Sequence, residues 1–358
     1  MYLSILLLIL PSFASVHYSE PVELVDSLQT YYGSTSFLTL DHGSVIFVNS
    51  EEQICIMDVT SEAEPEVFEC HWVPGTPEWR GNTNTLLQDI SQDGATICFT
   101  QQVSFPDSMQ VYDSRIPGPV IVAVCNTDGS DARIVALSFD IGGSPDFHFT
   151  NDSKYLFGGV ILRCQPNASD YAEYVTRDDD TGLISGHLID VGTGDLVGDC
   201  QVVANDGYYA NPWSDLAATG AYPTTKIVDV IDQEIIFEDS SLGQNGIISR
   251  WVLPDAGLAY RDGEQILLHA DGSVVRNEGP DIRVYEVLFN GRYIFSYDDG
   301  GDNIKLGNID WNTFQSPDAI ILGGLEEYDI DYCKAIESIR GNWLIFVDGN
   351  AMYSYELP

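Results

Sequence analysis

The sequence predicts an all-β fold, a single β-propeller of about seven four-stranded blades. One strand–turn–strand unit recurs along the 358 residues, its turns are rich in Gly, Asp and Asn, and no long stretch combines a helical period with caps. Alternating apolar strands joined by Asp-Gly turns are typical of antiparallel hairpins. A sheet this small cannot bury its own apolar faces, so such units are expected to pack around an axis.

The recurring unit is a short apolar strand, a polar turn and a second, strongly apolar strand. Its turn positions are separated by 51, 59, 62, 42, 34 and 50 residues, which brackets the length of a propeller blade. These positions are Gly43, Gly94, Ser153, Asp215, Gly257, Gly291 and Gly341. Most residues six positions earlier are aromatic, as expected for first strands that pack against neighbouring blades. They are Phe37, Gln88, Phe147, Tyr209, Trp251, Tyr285 and Ala335.

The two ends of the chain predict how the ring closes. The last unit has only three strands before residue 358, whereas residues 21–28 form an alternating segment without a blade of its own. We expect this N-terminal segment to pair with the last blade as its missing outer strand. Such pairing would leave no open sheet edge between the termini.

Residues 1–14 have the features of a secretory signal peptide. The apolar run over residues 3–10 is too short to span a bilayer, and the small–x–small sequence Ser12-Phe13-Ala14 follows it. Cleavage after Ala14 would leave residues 15–358 as the propeller domain. We therefore expect an exported protein, periplasmic or secreted, without stable membrane insertion.

The charge is strongly acidic, with 55 acidic against 15 basic residues and a net charge of −40. Such a surface repels nucleic acid, whose binding requires basic patches that neutralise phosphates. It attracts basic partners and divalent cations. Two explanations stay open: adaptation to a saline or calcium-containing medium, and an acidic surface for docking a partner. We expect a monomer that binds a protein partner.

The seven cysteines have no zinc-ligand spacing. In an oxidising compartment they can form disulfides, and local pairing within repeats is expected. The candidate pairs are Cys55 with Cys70, Cys98 with Cys125, and Cys164 with Cys200, which leaves Cys333 over. The alternative is buried free thiols, which behave as small hydrophobic side chains.

Part of the chain resembles a known repeat family. The segments SQDGATICFT (91–100) and VAVCNTDGSDARIVAL (122–137) resemble consecutive parts of TolB-like propeller repeats, and residues 149–158 with 188–196 look like a second copy. The likeness is good over about residues 86–200 and weak elsewhere, and it does not include the N-terminal domain of TolB. The combined Gly-His and Trp-Asp signature of WD repeats is absent, although the propeller is WD-repeat-like in class. The resemblance implies a propeller that presents loops to a partner.

Scarce basic residues suggest a ligand site. Arg250, Arg283 and Lys334 lie near the starts of predicted first strands in blades five, six and seven, where strand starts meet at the mouth of a central channel. Three cations there would suit a carboxylate or phosphate ligand. The alternative is that each pairs with a neighbouring Asp and holds adjacent blades together. His148, in another first strand, is a further channel candidate, or else a satisfied core histidine.

Two acidic loops could hold calcium, the one cofactor that the sequence suggests. The first contains Asp298, Asp299, Asp302 and Asn303, and the second is 178–182. Oxygen-rich loops of Asp, Asn and Gly provide the ligands that Ca²⁺ prefers, and solvated turns are the alternative.

No catalytic motif is present, since the sequence contains no G-x-S-x-G elbow, HExxH or EF-hand loop. The leading hypothesis is an exported, non-enzymatic propeller that binds a protein or other ligand through one face. The alternative is a calcium-dependent enzyme of the propeller hydrolase or lactonase type, with carboxylates around a channel-bound ion.

Overall fold

The computed structural model describes residues 16–29, 37–40, 42–60, 65–67, 83–103, 119–139, 147–164, 184–199, 208–221, 224–240, 248–288, 290–298, 303–330, 332–338 and 341–358. Within these ranges the regular elements are β-strands, and no helix occurs. The described residues accordingly include no helix of the length and apolarity needed to cross a membrane. The predicted signal peptide lies outside them.

The chain forms a seven-bladed β-propeller, as predicted. It starts with β1 (Val16–Tyr18) and β2 (Val22–Val25). Blade one contains β3 (Phe37–Leu40), β4 (Ser44–Val48), β5 (Ile54–Asp58) and β6 (Glu66–Val67). Blade two contains β7 (Thr83–Ile90), β8 (Thr96–Val103), β9 (Pro119–Asn126) and β10 (Arg133–Phe139). Blade three contains β11 (Phe147–Phe149), β12 (Tyr155–Cys164), β13 (Ile184–Asp190) and β14 (Leu196–Asp199).

The second half of the chain repeats this arrangement. Blade four contains β15 (Tyr208–Ala210), β16 (Leu216–Ala221), β17 (Thr224–Asp229) and β18 (Glu234–Asp239). Blade five contains β19 (Arg250–Leu253), β20 (Ala256–Arg261), β21 (Glu264–His269) and β22 (Val274–Arg276). Blade six contains β23 (Ile282–Val287), β24 (Tyr293–Tyr297), β25 (Lys305–Gly307) and β26 (Ile320–Gly323). Blade seven contains β27 (Tyr332–Ser338), β28 (Gly341–Asp348) and β29 (Ala351–Glu356).

Within each blade, consecutive strands pair antiparallel, from a first, inner strand to a fourth, outer strand. The first strands surround the axis, because they contact one another from blade to blade: β27 with β3, β3 with β7, β7 with β11, β15 with β19, and both β19 and β27 with β23. One irregularity joins two blades, since the far end of the ten-residue β12 also pairs with β10, through Ala136 and Cys164.

The predicted ring closure is confirmed. Strand β2 pairs antiparallel with β29, with Val22 opposite Ser354, and so supplies the fourth strand of blade seven. The sequence did not reveal that β1 adds a fifth, parallel strand to blade six by pairing with β26. We call β1 and β2 the N-terminal strap. The buried Tyr355 hydroxyl donates to the His17 carbonyl of the strap at 3.3 Å and to the Gly323 carbonyl of β26 at 3.0 Å.

The core consists of layers between blades. Seven apolar clusters occur in the described residues, and each joins two consecutive blades, including blade seven to blade one. Three of the predicted first-strand aromatics, Phe37, Phe147 and Trp251, are buried in these clusters. Because every blade contributes to two clusters, no blade can leave the ring without exposing apolar surface on both neighbours.

Two turns in blades two and three have the same side-chain contacts. In blade two the Ser91 hydroxyl donates to the Asp93 carboxylate at 2.6 Å, and in blade three Thr150 donates to Asp152 at 2.8 Å. The next residue has a positive φ in both, 68° at Gly94 and 60° at Ser153. The same hydroxyl–carboxylate turn therefore links the first and second strands of both blades.

One predicted turn position has a different role. Gly257 lies inside β20, and a Cβ there would be 2.4 Å from the Ile248 side chain and 2.9 Å from the Arg250 carbonyl oxygen. The glycine is required for close backbone approach, and the turn itself is formed by residues 254–255.

The disulfide expected between Cys98 and Cys125 is absent, because the two residues lie on opposite faces of one sheet. Cys98 is opposite Val124 and Ile97 is opposite Cys125, so Cys98 enters the cluster between blades two and three, and Cys125 the one between blades one and two. Both thiols are buried and form no disulfide, and the same holds for Cys55 and Cys333. Cys70, Cys200 and the Cys164 side chain lie outside the described residues.

Candidate functional site

The predicted ligand residues lie toward one end of the propeller. In an antiparallel blade, the start of the first strand lies at the same end as the turn between the second and third strands. The connection from each outer strand to the next blade arrives at that end too. We call this end the connection face. The opposite face carries the turns between first and second strands and between third and fourth strands.

Arg250 and Lys334 converge on a carboxylate that the sequence analysis missed. Glu286 of β23 lies between them, with its Oε2 atom 3.4 Å from Arg250 Nη2 and 3.7 Å from Lys334 Nζ. Arg250 also donates to the Tyr285 carbonyl at 2.6 Å. The Glu286 carboxylate, followed by Tyr332, raises the pKa of Lys334 well above its usual range. The triad links the inner strands of blades five, six and seven, as the pairing alternative expected, but the acid is one shared glutamate rather than an aspartate for each cation.

Burial strengthens this triad. The Glu286 side chain is only 13% exposed, whereas the two cations are about one-third exposed. Neighbouring Cys333 is buried, and this burial raises the pKa of its thiol to about 12, so the thiol stays neutral. Charge compensation here leaves the triad with one net positive charge rather than two, which weakens the case for an anionic ligand.

Arg283 is the exposed member of the predicted group. Its guanidinium carbon lies 4.8 Å from the centroid of the Tyr285 ring, a cation–π contact. It is the second residue of β23, the strand that carries Glu286, and so lies near the connection face. Arg250 and Lys334 therefore share Glu286 while Arg283 contacts Tyr285, and ligand binding by the three cations stays a prediction.

His148 pairs with a carboxylate of the preceding blade. Its Nδ1 atom lies 3.7 Å from Asp89 Oδ2, and both side chains are less than one-third exposed. The same carboxylate accepts the backbone N–H of Phe149 at 2.8 Å. This pair joins the inner strands of blades two and three, as the Glu286 triad does for blades five to seven.

A positional signal could have found these acids. Asp89, His148 and Glu286 each lie five residues before the turn position of their blade. Asp89 and Glu286 also follow a register shift in their first strands, after Leu87 and Val284 respectively. The residue at this offset faces a neighbouring inner strand, so a charge there predicts an inter-blade pair.

The connection face of blades five to seven contains a cleft of about 970 Å³. Tyrosines line it, and those described are Tyr260, Tyr285, Tyr297, Tyr328 and Tyr332. Carboxylates line it too, and those described are Asp281, Asp298, Glu326, Glu327 and Asp329. Arg250 and Arg283 contribute the positive charge among its described lining residues. The cleft combines aromatic surface with excess acid.

Second-strand and connecting segments position these groups. The backbone N–H of Gly324 donates to Glu326 Oε2 at 2.8 Å. The Tyr328 ring packs edge-on against Phe346, with 5.2 Å between the ring centroids. Desolvation raises the pKa of Tyr260, and its hydrogen bond with Asp281 acts in the same direction. Tyr260 therefore stays a neutral phenol at the cleft wall.

Only part of the predicted calcium loops lies within the described residues. Asp298 and Asn303 are exposed at the connection face, while Asp299, Asp302 and residues 178–182 lie outside the described residues. In the part of the chain that is described, no three His, Cys, Asp or Glu side chains are grouped as metal ligands. Calcium binding by the loop at 298–303 stays a prediction.

Comparison with known proteins identifies the fold. No protein-family model and no curated protein matches the sequence. The structure is similar to that of the RRP9 WD40 repeats, with a TM-score of 0.53 and 12% identity over 95% of this chain and 100% of that chain.

Two other solved structures are also similar. The C-terminal WD40 domain of Sif2 gives a TM-score of 0.48 at 9% identity, covering 97% of this chain and 99% of that one. Sqt1 of Saccharomyces cerevisiae gives 0.47 at 11%, covering 96% and 99%. At the 12% identity of the RRP9 repeats, likeness concerns the fold alone. The chain is a WD-repeat-like seven-bladed β-propeller.

Proposed function

We propose that this protein is an exported, non-enzymatic binding module that docks a protein partner through the connection face of blades five to seven. The observation that carries this proposal is the tyrosine-rich cleft of about 970 Å³ in that face. Tyrosine supplies large contact area with a polar tip and is enriched at interfaces. WD-repeat-like propellers are commonly protein-interaction scaffolds, which supports a binding role.

Two finer features belong to the same proposal. Export rests on the apolar run and cleavage site within residues 1–14. A TolB-like relationship rests on the resemblance of residues 91–100 and 122–137, and the similar hydroxyl–carboxylate turns of blades two and three support it. Both favour a propeller that works outside the cytoplasm and presents loops to a partner.

A variant in which the cleft is blocked tests the proposed binding role. Asp329→Trp would fill the cleft with a bulky side chain, and Glu234→Trp would make the same change in blade four, at the third-to-fourth-strand turn of the opposite face. We expect proteins captured from the exporting compartment by the wild type to be retained by Glu234→Trp and lost from Asp329→Trp. Quantitative mass spectrometry of the captured proteins measures this.

The contrary outcome is equally clear. If both variants, folded as judged by circular dichroism, capture the same proteins in the same amounts as the wild type, the cleft is not the docking site. Loss of capture in Glu234→Trp alone would assign binding to the opposite face.

A further inference from the structure

The charge balance of the cleft selects against an anionic ligand. Its described lining contains five carboxylates and two guanidinium groups, a net charge of −5 + 2 = −3. Of the two cations, Arg250 already donates to the Tyr285 carbonyl and contacts Glu286 at 3.4 Å. An incoming carboxylate or phosphate would therefore meet uncompensated acid and one exposed arginine.

The tyrosine rings of the cleft already bind cations of the chain itself. Lys305 Nζ lies 4.5 Å from the centroid of the Tyr297 ring, and the Arg283 guanidinium carbon lies 4.8 Å from that of Tyr285. Two tyrosine rings of this region thus already engage positive charge of the chain through their faces. Electron-rich ring faces attract ammonium and guanidinium groups most strongly when carboxylates stand nearby.

The acidic rim is formed by the connection between blades six and seven. Glu326, Glu327 and Asp329 are exposed there, and Asp298 is exposed on the neighbouring loop of blade six. A side chain that entered between them would meet carboxylates at the rim and tyrosines beyond it. The rim carboxylates would attract a lysine or arginine side chain electrostatically, and its charged tip would then contact the tyrosine rings.

Resting on the docking role proposed above, we propose that the cleft binds a lysine or arginine side chain presented by a basic segment of the partner. The carboxylates provide the charge and the tyrosines provide the aromatic surface. The net charge of −40 draws basic segments to the molecule as a whole, and the cleft then selects them at one place.

The probe is a fluorescein-labelled heptapeptide with two lysines, compared with versions in which glutamate or acetyl-lysine replaces both. Fluorescence polarisation measures binding to the full-length mature protein at 150 mM salt. We expect the lysine peptide to bind at least about tenfold more tightly than either other peptide, because each loses the positive charge.

Two double variants with the same loss of charge distinguish binding in the cleft from general electrostatic attraction to a negatively charged protein. Glu326→Gln/Glu327→Gln and Asp232→Asn/Glu234→Gln each remove two negative charges, the first pair at the cleft rim and the second at a blade-four turn of the opposite face. Glutamine keeps the oxygen that accepts the Gly324 N–H. We expect the rim variant to weaken lysine-peptide binding by about tenfold and the turn variant by less than about twofold.

The outcomes distinguish this inference from the proposed function. Equal weakening by both variants, or no preference for the lysine peptide, overturns the cation site. Tighter binding of the glutamate peptide that is lost in Arg283→Ala also overturns it, yet leaves the cleft as a docking site. Failure of Asp329→Trp to change partner capture overturns the docking role itself.

Discussion

Single residues of this propeller hold blades together by charge as well as by apolar packing. Glu286 receives a cation from each neighbouring blade, and Asp89 receives His148 and a backbone N–H from the next one. The chain has only 15 lysines and arginines, and two of them, Arg250 and Lys334, are used for such contacts. Removing one partner leaves a half-buried charge without compensation, which costs more than the intact pair contributes.

Glu286→Gln is expected to lower the free energy of unfolding by about 1–2 kcal/mol, a value reduced because both cations are about one-third exposed. Urea denaturation measures the change. Glu264→Gln is the matched control, because its ion pair with Arg276 at 2.8 Å is exposed on both sides. The control should change stability by less than about 0.5 kcal/mol. Equal losses in the two variants would refute a special role for Glu286.

Turn aspartates give the molecule an acid-sensitive surface. Asp128 accepts hydrogen bonds from the Ser130 hydroxyl at 2.6 Å and its backbone N–H at 2.9 Å, and these lower the pKa of the Asp128 carboxyl. A lowered folded-state pKa contributes stability that is present above the unfolded-state pKa and is lost as pH falls through the folded-state pKa.

Ser130→Ala should therefore raise the pKa of Asp128 toward its ordinary value, as measured by carboxyl-carbon NMR titration. Asp271 is the internal control, since it has its own partner, Ser273, and its lowered pKa should not move. An unchanged Asp128 titration would show that the hydroxyl contributes nothing and that the backbone N–H alone controls the carboxylate.

At the scale of elements, the N-terminal strap performs two tasks. Strand β2 completes blade seven, while β1 covers the outer edge of blade six. Between β2 and blade one, buried Leu28 joins the apolar cluster that unites blades seven and one. The strap therefore contributes to the only junction at which sequence-distant blades must meet.

A chain that begins at residue 30 is expected to melt about 5–10 °C lower than one that begins at residue 15, because it loses β2 and Leu28. A chain that begins at residue 21 keeps both and loses only β1, so its melting temperature should fall by less than half as much. Differential scanning fluorimetry measures the series. Equal melting of all three chains would argue against ring closure as a source of stability.

At the scale of the whole molecule, the net charge of −40 opposes compactness. Raising NaCl from low concentration to 0.5 M should increase the melting temperature, because the Debye length shortens from about 30 Å at 0.01 M to a few ångströms. KCl at equal ionic strength should act alike. A flat or falling melting temperature would show that acidic residues are already spaced beyond mutual repulsion.

The same melting assay also tests the predicted calcium site. If the loop at 298–303 binds Ca²⁺, the melting temperature should rise with Ca²⁺ by more than Mg²⁺ produces at the same concentration. Asp298→Asn should remove that difference. Identical curves for the two ions would leave general screening as the explanation and refute a calcium site.

Local pattern determined the fold class, the seven blades, most turn positions and the closing strand, because hairpin turns and alternating strands depend on residues close together in the chain. Gly43, Gly94 and Gly291 show this, since each has the positive φ that its turn requires. The fate of Cys98 and Cys125 depended on strand register, which no spacing reveals.

The site required the tertiary structure. Glu286 lies 36 residues from Arg250 in the sequence and meets it only because blades five and six are adjacent around the axis. The cleft likewise forms from three blades and the connection between two of them. Sequence alone therefore determined which units this protein repeats, whereas ring closure decided which charges meet, because contacts between blades join residues that no local pattern relates.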